Sequence, residues 1–377
     1  MKVAITLLVF CFAALLALGM VMLYSASMTD VGPHYLMMQL LWCGLGLVGC
    51  VVMASIDYAL LRKFAWPVLA VAVGALVLVL IPHVGLKING ARRWLGAGGF
   101  RLQPSELAKL AIIVVMAWYC ERYQRQMRDW KRGIVIPAAI FMPVLLLIFI
   151  EPDRGTTILM CAVISVMLLI AGVRWQYFAV PLVLGVTALG LSLWRDPMRM
   201  KRIFAWLYLE ENKSGVGYQA YQAMLALGSG GPTGLGLGDS RQKLGFVPEH
   251  HTDFILSIIG EELGLITLLV VAAFIVIVIC GAWISLRARD TFGLMLGCGI
   301  TFLIGFQAFI NIGVVTSTLP NKGLPLPFIS YGGSSLAFCL ASIGILVSIY
   351  RRGFGERPDP EGMQFNARIK TRPTPRI

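Results

Sequence analysis

Ten apolar runs, each near the length of a membrane-crossing helix, constrain this chain more than any other feature of its sequence. A helix needs about 20 mostly apolar residues to cross the hydrocarbon of a bilayer. Only 14% of the residues are charged and the mean hydropathy is +0.79, whereas soluble proteins carry about 25% charged residues. We therefore predict an all-α integral membrane protein with ten transmembrane helices. They are expected near residues 4–25, 35–55, 60–81, 105–120, 134–150, 155–172, 176–194, 254–284, 292–315 and 334–350.

The distribution of basic residues between the connecting loops predicts how these helices are oriented. Alternate loops fall into two sets, which carry 18 and 13 of the 32 Lys and Arg residues. The set richer in Lys and Arg is expected in the cytoplasm, so both termini are predicted to be cytoplasmic. Residues 1–352 then form one membrane domain, with a large extracytoplasmic loop (about 195–253) between helices 7 and 8. Residues 353–377 are predicted to be a disordered cytoplasmic tail.

Neither the cysteines nor the net charge indicates a zinc protein or a nucleic-acid-binding protein. The eight cysteines lie in or beside apolar runs without metal-type spacing, which favours simple packing between helices. The net charge of +13 has no soluble basic domain to carry it, so we expect no nucleic-acid partner. No ligand cluster identifies a cofactor, although a divalent cation, Mg²⁺ or Mn²⁺, could bridge an anionic substrate.

The shorter outer loop carries more positive charge than topology requires. Its sequence, HVGLKINGARRWLGAGGFRLQPSE, contains Lys87, Arg92, Arg93 and Arg101. Solvated loop charges would explain such a cluster. Arg and Lys at an outer membrane surface also suit an anionic, membrane-anchored ligand such as a phosphate or pyrophosphate lipid, and we favour this second interpretation.

Carboxylates are concentrated at the mouth of the eighth predicted helix, in the stretch PEHHTDFILSIIGEELG. Thr252 or Asp253 could cap this helix, because both residue types accept hydrogen bonds from free backbone N–H groups. A cap does not explain Glu249, on the other side of two histidines. Since Asp253 lies at the predicted water–lipid boundary among basic loops, it could instead act as general base on a sugar hydroxyl, while cations stabilise a departing pyrophosphate.

Glu261 and Glu262 lie roughly 12–13 Å further along the same predicted helix. A carboxylate at that depth is costly and normally faces a partner or a wet cavity. We predict a structural intramembrane role for both, as an ion pair with Lys109 of the fourth helix or at a backbone site. Asp253, Ser257 and Glu261 also share one helix face, and such a polar stripe would equally suit a transporter.

The segment TSTLPNKGLPLPFISYGGSS, residues 316–335, cannot form a regular helix because it contains three prolines and several glycines. Lys322 is its only charged residue. Irregular backbone at membrane depth needs protein or water to satisfy its polar groups. The segment is therefore either a rigid connection or one wall of a ligand site.

Four segments resemble signature sequences of the SEDS family, the bacterial cell-wall polymerases that include FtsW and RodA. The resemblance extends over essentially all ten predicted helices. The segment DSRQKLGFVPEHHTDFI is more similar to the division branch, FtsW, than to the elongation branch, RodA. The four segments are NGARRWLGAGGFRLQPSELAKL, EPDRGTT, QKLGFVPEHHTDFILSIIGEELG and NKGLPLPFISYGGSS.

This resemblance implies a peptidoglycan glycosyltransferase that polymerises lipid II on the outer face of the bacterial cytoplasmic membrane. It gives Asp253 the role of the essential acid, and it gives functional roles to Arg101, Lys109 and the pair Arg93–Trp94. Members of the family work with a class B penicillin-binding protein, which supplies a transpeptidase. Other divisome membrane proteins at the septum are expected partners of a division-type member.

Our mechanistic hypothesis is an inverting transfer in which Asp253 takes the proton of the acceptor's 4-hydroxyl group. Lipid II is the acceptor and the glycan linked to undecaprenyl pyrophosphate is the donor. The alternatives are a lipid II flippase, an elongation-type polymerase and a structural scaffold for division proteins. The residues expected around the substrate and its pyrophosphate are Arg93, Trp94, Arg101, Lys109, Lys243, Glu249 and Lys322.

Overall fold

A computed structural model describes residues 2–27, 32, 34–88, 91–97, 100–194, 197–247 and 251–354. Two sequence expectations lie outside these ranges: the role of Glu249, and all but the first two residues of the predicted tail 353–377. Within the described ranges the chain is helical apart from one small sheet.

Thirteen α-helices form within the described residues, and they account for every predicted membrane span. Three 3₁₀ turns (Gln124–Gln126, Trp175–Phe178 and Gly264–Ile266) and one π turn (Lys131–Val135) connect them. The helices are α1 Lys2–Ser27, α2 His34–Ser55, α3 Ala59–Leu80, α4 Pro104–Arg122, α5 Ile136–Ile150, α6 Arg154–Ile170, α7 Ala179–Trp194, α8 Pro197–Leu207, α9 Tyr218–Ser229, α10 Ile255–Leu263, α11 Thr267–Leu286, α12 Thr291–Val315 and α13 Ser334–Phe354.

Seven helical stretches of the described chain are long and apolar enough to cross a membrane. The prediction of an all-α, multi-pass membrane protein is therefore confirmed. The other three predicted spans fold as α4, α6 and α7, with 19, 17 and 16 residues. The seven stretches are Val3–Ser27, His34–Ser55, Ala59–Leu80, Lys131–Ile150, Ile255–Leu286, Thr291–Val315 and Ser334–Gly353.

The eighth predicted span, 254–284, is not one straight helix. Gly264 ends α10 with φ at 59°, and a Cβ there would lie 2.5 Å from the backbone nitrogen of Gly234. Only glycine fits this break, because it tolerates positive φ and has no side chain. The 20 residues of α11 span about 30 Å and can cross the hydrocarbon alone. The α10 segment, with Glu261 and Glu262, is thus not needed for the crossing.

The shorter outer loop folds into a three-stranded antiparallel sheet, which the sequence analysis missed. Its strands are β1 (Leu86–Ile88), β2 (Ala91–Ala97) and β3 (Phe100–Leu102). The Asn-Gly pair at 89–90 is a strong hairpin signal that could have revealed it. Since β3 leads directly into α4, the sheet holds the loop cations in one small unit at the start of that helix.

α12 is the central helix of the bundle and packs against α4, α6, α11 and α13. Glycine permits this close packing: a Cβ at Gly299 would lie 2.6 Å from Ile113 Cγ2 and 2.9 Å from Met167 Sδ. Further along α12, the amides of Gln307 and Asn311 are buried. Because buried amides need hydrogen-bond partners, these two residues bind the segments around them.

Candidate active site

Asp253 lies where the start of α10, the C-terminal end of α12 and the irregular segment 316–333 meet. Asn311 Nδ2 donates hydrogen bonds to the backbone oxygens of Asp253 and Leu324, both at 2.8 Å. A Cβ at position 323 would lie 2.9 Å from Asp253 Oδ2, so Gly323 leaves room for the carboxylate. The half-buried carboxylate of Asp253 is thereby held directly against the segment that carries Lys322.

Contacts from several other elements fix the segment that leads into α10. The N-cap position is Phe254, which makes no side-chain capping bond. Just before it, the backbone oxygen of His251 accepts a hydrogen bond from Tyr331 N at 3.0 Å. The His251 ring also stacks on Tyr35 of α2, with ring centroids 4.8 Å apart. The segment before α10 is therefore fixed by α2, α12 and the irregular loop.

Lys322 lies close to a cation that the sequence analysis did not single out, Arg154. Leu324 packs on the first turn of α6, since a Cβ at Gly155 would lie 3.0 Å from Leu324 Cγ. Burial, together with the charge of Arg154, lowers the pKa of Lys322. Two cations beside one carboxylate form an environment that suits an anionic leaving group. In the sequence, Arg154 belongs to the EPDRGTT segment and directly follows a helix-capping aspartate. This position is the sequence signal that could have identified Arg154 as a candidate site residue.

Arg101 of β3 extends this cationic environment towards Tyr331. Burial and the neighbouring Tyr35 raise the pKa of the Tyr331 hydroxyl, and the charge of Arg101 opposes that increase. Gln103, two residues after Arg101, donates to Asp153 Oδ2 at 3.4 Å and so connects the sheet to α6. The sheet and the start of α6 thus lie on the same side of the molecule as Asp253.

Arg93 of β2 binds the turn between α5 and α6, which directly precedes Arg154. Its Nε donates to the backbone oxygen of Glu151 at 2.9 Å, and its Nη2 donates to that of Pro152 at 2.6 Å. Trp94, the next residue of β2, stands half-buried opposite Leu86. These contacts fix Arg93 at the turn between α5 and α6, two residues from Arg154.

Glu151, in the turn between α5 and α6, is a buried carboxylate that the sequence analysis did not predict. Its side chain is 1% exposed, and neither carboxylate oxygen has a hydrogen-bond partner. Burial and the nearby charge of Asp153 raise the pKa of Glu151 to about 8, although Arg93 opposes the shift. Glu151 is accordingly neutral at pH 7 in the folded protein, and sequence alone gave no sign of this.

Replacing Glu151 with Gln should make the protein more resistant to alkaline pH. The pKa of Glu151 is about 8 in the folded state, whereas its ordinary value is 4.5. Between these two pH values, the folded state holds a proton on Glu151 that the unfolded state has lost. The free energy of unfolding therefore falls as pH rises through this window, by about 1.4 kcal/mol per unit at most. Glu151→Gln removes that fall. Thermal unfolding from pH 5 to 9 would measure it, with exposed Glu210→Gln as the control that should follow the wild type.

Lys109 is buried, with its side chain only 2% exposed, and its predicted role near the substrate stays a prediction. Its ammonium group lies 2.9 Å from Glu106 Oε2 and donates to Gln307 Oε1 at 3.2 Å. Gln307 Nε2 in turn donates to the backbone oxygen of Pro325 at 2.9 Å. Lys109 thus acts on the irregular segment through α12. Its expected pairing with Glu261 or Glu262 was wrong, because Glu106 takes that place.

Glu262 forms a second polar cluster with Lys243, Ser25 and Gly238. Lys243 Nζ lies 3.1 Å from Glu262 Oε1, and the two side chains are 6% and 0% exposed. Glu262 also accepts from Ser25 Oγ at 2.7 Å and from Gly238 N at 3.1 Å. Lys243 further donates to Ser25 Oγ and to the backbone oxygen of Gly238. These internal bonds give Lys243 a structural role, while its predicted place near the pyrophosphate stays a prediction.

Glu261 binds the outer loop in a similar way. It accepts hydrogen bonds from Arg241 N at 3.2 Å and Gln242 N at 3.3 Å, and from the hydroxyl of Ser240. On the same face of α10, Ser257 and Glu261 are buried, and Ser257 Oγ donates to the backbone oxygen of Phe254. The two glutamates therefore hold the loop before α10 in place, and they do not extend the site into the membrane.

Comparison with known proteins identifies the family. The family model for cell cycle proteins of the FtsW, RodA and SpoVE type matches residues 5–353. The chain belongs to this family. This confirms the SEDS resemblance of the sequence analysis. One relative of the chain is a probable peptidoglycan glycosyltransferase FtsW from Geobacter metallireducens. The two proteins are 42% identical over 90% of this chain and 92% of the relative.

Solved structures agree with the family assignment. A chain from a peptidoglycan synthase complex described as coordinating polymerization and crosslinking has a TM-score of 0.79 and 28% identity, covering 93% of this chain and 98% of that one. The rod shape determining protein RodA of Thermus thermophilus has a TM-score of 0.70 and 28% identity, covering 93% of this chain and 97% of RodA. The family member described here thus shares its fold with both.

Proposed function

We propose that this chain is a division-type peptidoglycan glycosyltransferase that polymerises lipid II at the outer face of the bacterial cytoplasmic membrane. The observation that carries the proposal is the position of Asp253. Its carboxylate lies against Gly323, beside Lys322, in a family whose relatives include an FtsW named as a probable peptidoglycan glycosyltransferase. A carboxylate next to cations is the arrangement that proton removal and a departing pyrophosphate both require.

In the proposed reaction, Asp253 accepts the proton of the acceptor's 4-hydroxyl group as that oxygen attacks the donor's anomeric carbon. One C–O bond forms, and the C–O bond to undecaprenyl pyrophosphate breaks, with the electron pair leaving on the pyrophosphate. Attack from the opposite face converts an α-linked donor into a β-linked product, so the transfer inverts. Asn311 keeps the base in register, because it binds the Asp253 backbone directly.

The negative charge of the leaving group is met by the cations around this carboxylate. Lys322 precedes Gly323, which lies against the Asp253 carboxylate, and the charge of Arg154 acts on Lys322; Arg101 and Arg93 lie on the sheet before α4. A divalent cation such as Mg²⁺ or Mn²⁺ would be a ligand that the pyrophosphate itself brings. Among the residues described, no three His, Cys, Asp or Glu side chains converge on a common metal position, and no step of the reaction depends on such an ion.

The predicted topology completes the proposal. Ten spans with both termini in the cytoplasm place the loop 195–253 and the candidate site at the outer surface. A class B penicillin-binding protein would supply crosslinking, as is supported by the similarity to a chain of a peptidoglycan synthase complex. The proposal also includes other divisome membrane proteins as partners, a location at the division septum, and a cytoplasmic position for the tail 353–377.

Lipid II polymerisation by the purified protein, co-expressed with its penicillin-binding partner, tests the function. A glycan ladder supports the proposal. If the protein makes no glycan but moves lipid II across vesicle membranes, it is a flippase. If it does neither while still binding division proteins, it is a scaffold. The transport outcome is the less expected one, because Ser257 and Glu261 are buried and bonded to protein groups.

Removing the cation pair should weaken binding of the lipid-linked substrate. Hydrogen bonds to charged groups contribute about 1.5–3 kcal/mol, so Arg154→Gln and Lys322→Gln should each raise KM for lipid II on the order of tenfold. Steady-state polymerisation kinetics would measure this. Arg202→Gln on α8 removes an exposed cation from the loop 195–253 and should change KM less than twofold. Equal effects at all three positions would contradict a local anion site.

A further inference from the structure

A basic cavity lies at the opposite end of the bundle from the candidate active site. α4 runs from Pro104, beside that site, to Arg122, about 28 Å away. The loop that follows α4 lines an open surface cavity of about 640 Å³. The charged residues that line it are Arg125, Arg128, Asp129, Lys131 and Arg132.

This cavity concentrates positive charge that the neighbouring residues do not neutralise. Four cations share it with one carboxylate, that of Asp129. Among the residues that the structure describes, none of these four cations forms an ion pair. Like charges gathered around one cavity repel each other. An anion with several acceptor oxygens, such as a phosphate, would relieve that repulsion and use the forked donors of arginine.

The loop that carries the cations is fixed by packing, which distinguishes it from a mobile stretch of solvated charge. Tyr119 OH donates to the backbone oxygen of Arg132 at 2.8 Å, and Tyr177 OH donates to that of Arg128 at 3.3 Å. Met127, in the middle of the loop, is 1% exposed. A site whose backbone is already ordered loses less conformational entropy when it binds a ligand.

One edge of the cavity belongs to the membrane surface. Ile136 lines it, is 40% exposed and begins α5, within the candidate span Lys131–Ile150. Beside it, the rings of Trp130 and Tyr177 meet edge to face with centroids 5.3 Å apart. Trp and Tyr are typical of the membrane–water interface. The cavity therefore combines cations with an apolar edge that continues along a membrane helix, and interfacial aromatic rings pack on the loop that carries it.

We propose that this cavity binds the phosphate of an anionic phospholipid headgroup from the adjoining leaflet. The phosphate lies among Arg125, Arg128, Lys131 and Arg132, and the acyl chains lie along Ile136 and α5. Basic pockets between membrane helices commonly take such headgroups. A lipid covers both the charged cavity and its apolar edge, whereas an acidic peptide or a free phosphate covers only the charge. The inference does not depend on the glycosyltransferase proposal, because no residue of the candidate active site takes part.

The test is a titration of the purified full-length protein in neutral detergent with phosphatidylglycerol, with bound lipids counted by native mass spectrometry. The double variant Arg128→Gln/Arg132→Gln should raise the half-saturating lipid concentration roughly 10- to 30-fold, the loss expected for two cations near an anionic headgroup. Arg287→Gln/Arg289→Gln removes the same charge from another loop and serves as the matched control, expected within twofold of wild type. Phosphatidylcholine should bind far more weakly.

Three outcomes would overturn the proposal. Equal binding of phosphatidylcholine, or an equal loss in the control variant, would mean that the cavity does not recognise an anionic headgroup. Displacement of the lipid by millimolar inorganic phosphate or by an acidic peptide would identify a site for soluble anions or for a protein partner. If the first variant does not fold, Arg125→Gln/Lys131→Gln changes two exposed side chains of the same cavity and must give the same loss.

Discussion

Asp253→Asn should reduce lipid II polymerisation by roughly 10²- to 10⁴-fold, the usual contribution of a general base. Asparagine has nearly the shape of aspartate but cannot accept the proton. The backbone oxygen at position 253 would still accept from Asn311, so the segment before α10 should stay in place. Gel separation of glycan products, at equal amounts of folded protein and bound partner, would measure the loss.

Asp239→Asn is the matched control for this variant. Asp239 is an exposed carboxylate of the same outer loop, and its substitution should leave the rate within twofold of wild type. The pH dependence provides a second test, because a general base gives a rate that rises with pH until the base is fully ionised. Polymerisation by Asp253→Asn at near wild-type rates would remove Asp253 from the mechanism, whatever the family assignment.

Glu262→Ala should destabilise the protein by about 3–5 kcal/mol, because it leaves the ammonium group of Lys243 buried without its counter-charge. The pair is almost fully buried, with side-chain exposures of 0% and 6%. The same change removes the acceptor for Ser25 and for Gly238 N, so α1, α10 and the outer loop lose a shared contact. Thermal unfolding in detergent would detect the shift.

Glu210→Ala, at an exposed loop position, should change stability by no more than about 0.5 kcal/mol. The double variant Lys243→Met/Glu262→Gln removes both charges but keeps an acceptor at position 262. It should recover much of the stability lost in Glu262→Ala, because the cost comes mainly from the unpaired charge. A Glu262→Ala protein as stable as Glu210→Ala would mean that the ion pair does not hold the loop.

Much of the fold could be predicted from the sequence, because apolar length alone decides where a helix can cross a bilayer. The break at Gly264 could not be predicted, since it depends on the outer loop that approaches it. A Cβ at this glycine would meet the backbone of Gly234, some 30 residues earlier in the chain. Hydropathy depends on the residues of one segment and carries no information about such a distant neighbour.

In the candidate site, too, short sequence segments identified individual residues but did not reveal their neighbours in the fold. Asp253 and Lys322 were predicted because motifs and charge placement identify them within short segments. The partner of Lys109 was misjudged, although Glu106 lies only one helical turn away. A carboxylate one turn away on the same helix is the simplest partner for a buried lysine, and it should have been considered before a distant one. Glu151 and Arg154 required three-dimensional neighbours to be recognised.

A single amide nitrogen, that of Asn311, binds two backbones that are far apart in the sequence. One belongs to the residue that carries the base, and the other to the segment that carries Lys322. The spacing between the base and that cation is therefore set by the most deeply packed helix of the bundle, and neither surface segment can change it alone. Under the proposed mechanism, a growing polymer that pulls on the outer surface would leave the separation between Asp253 and Lys322 unchanged, because both backbones are held by Asn311.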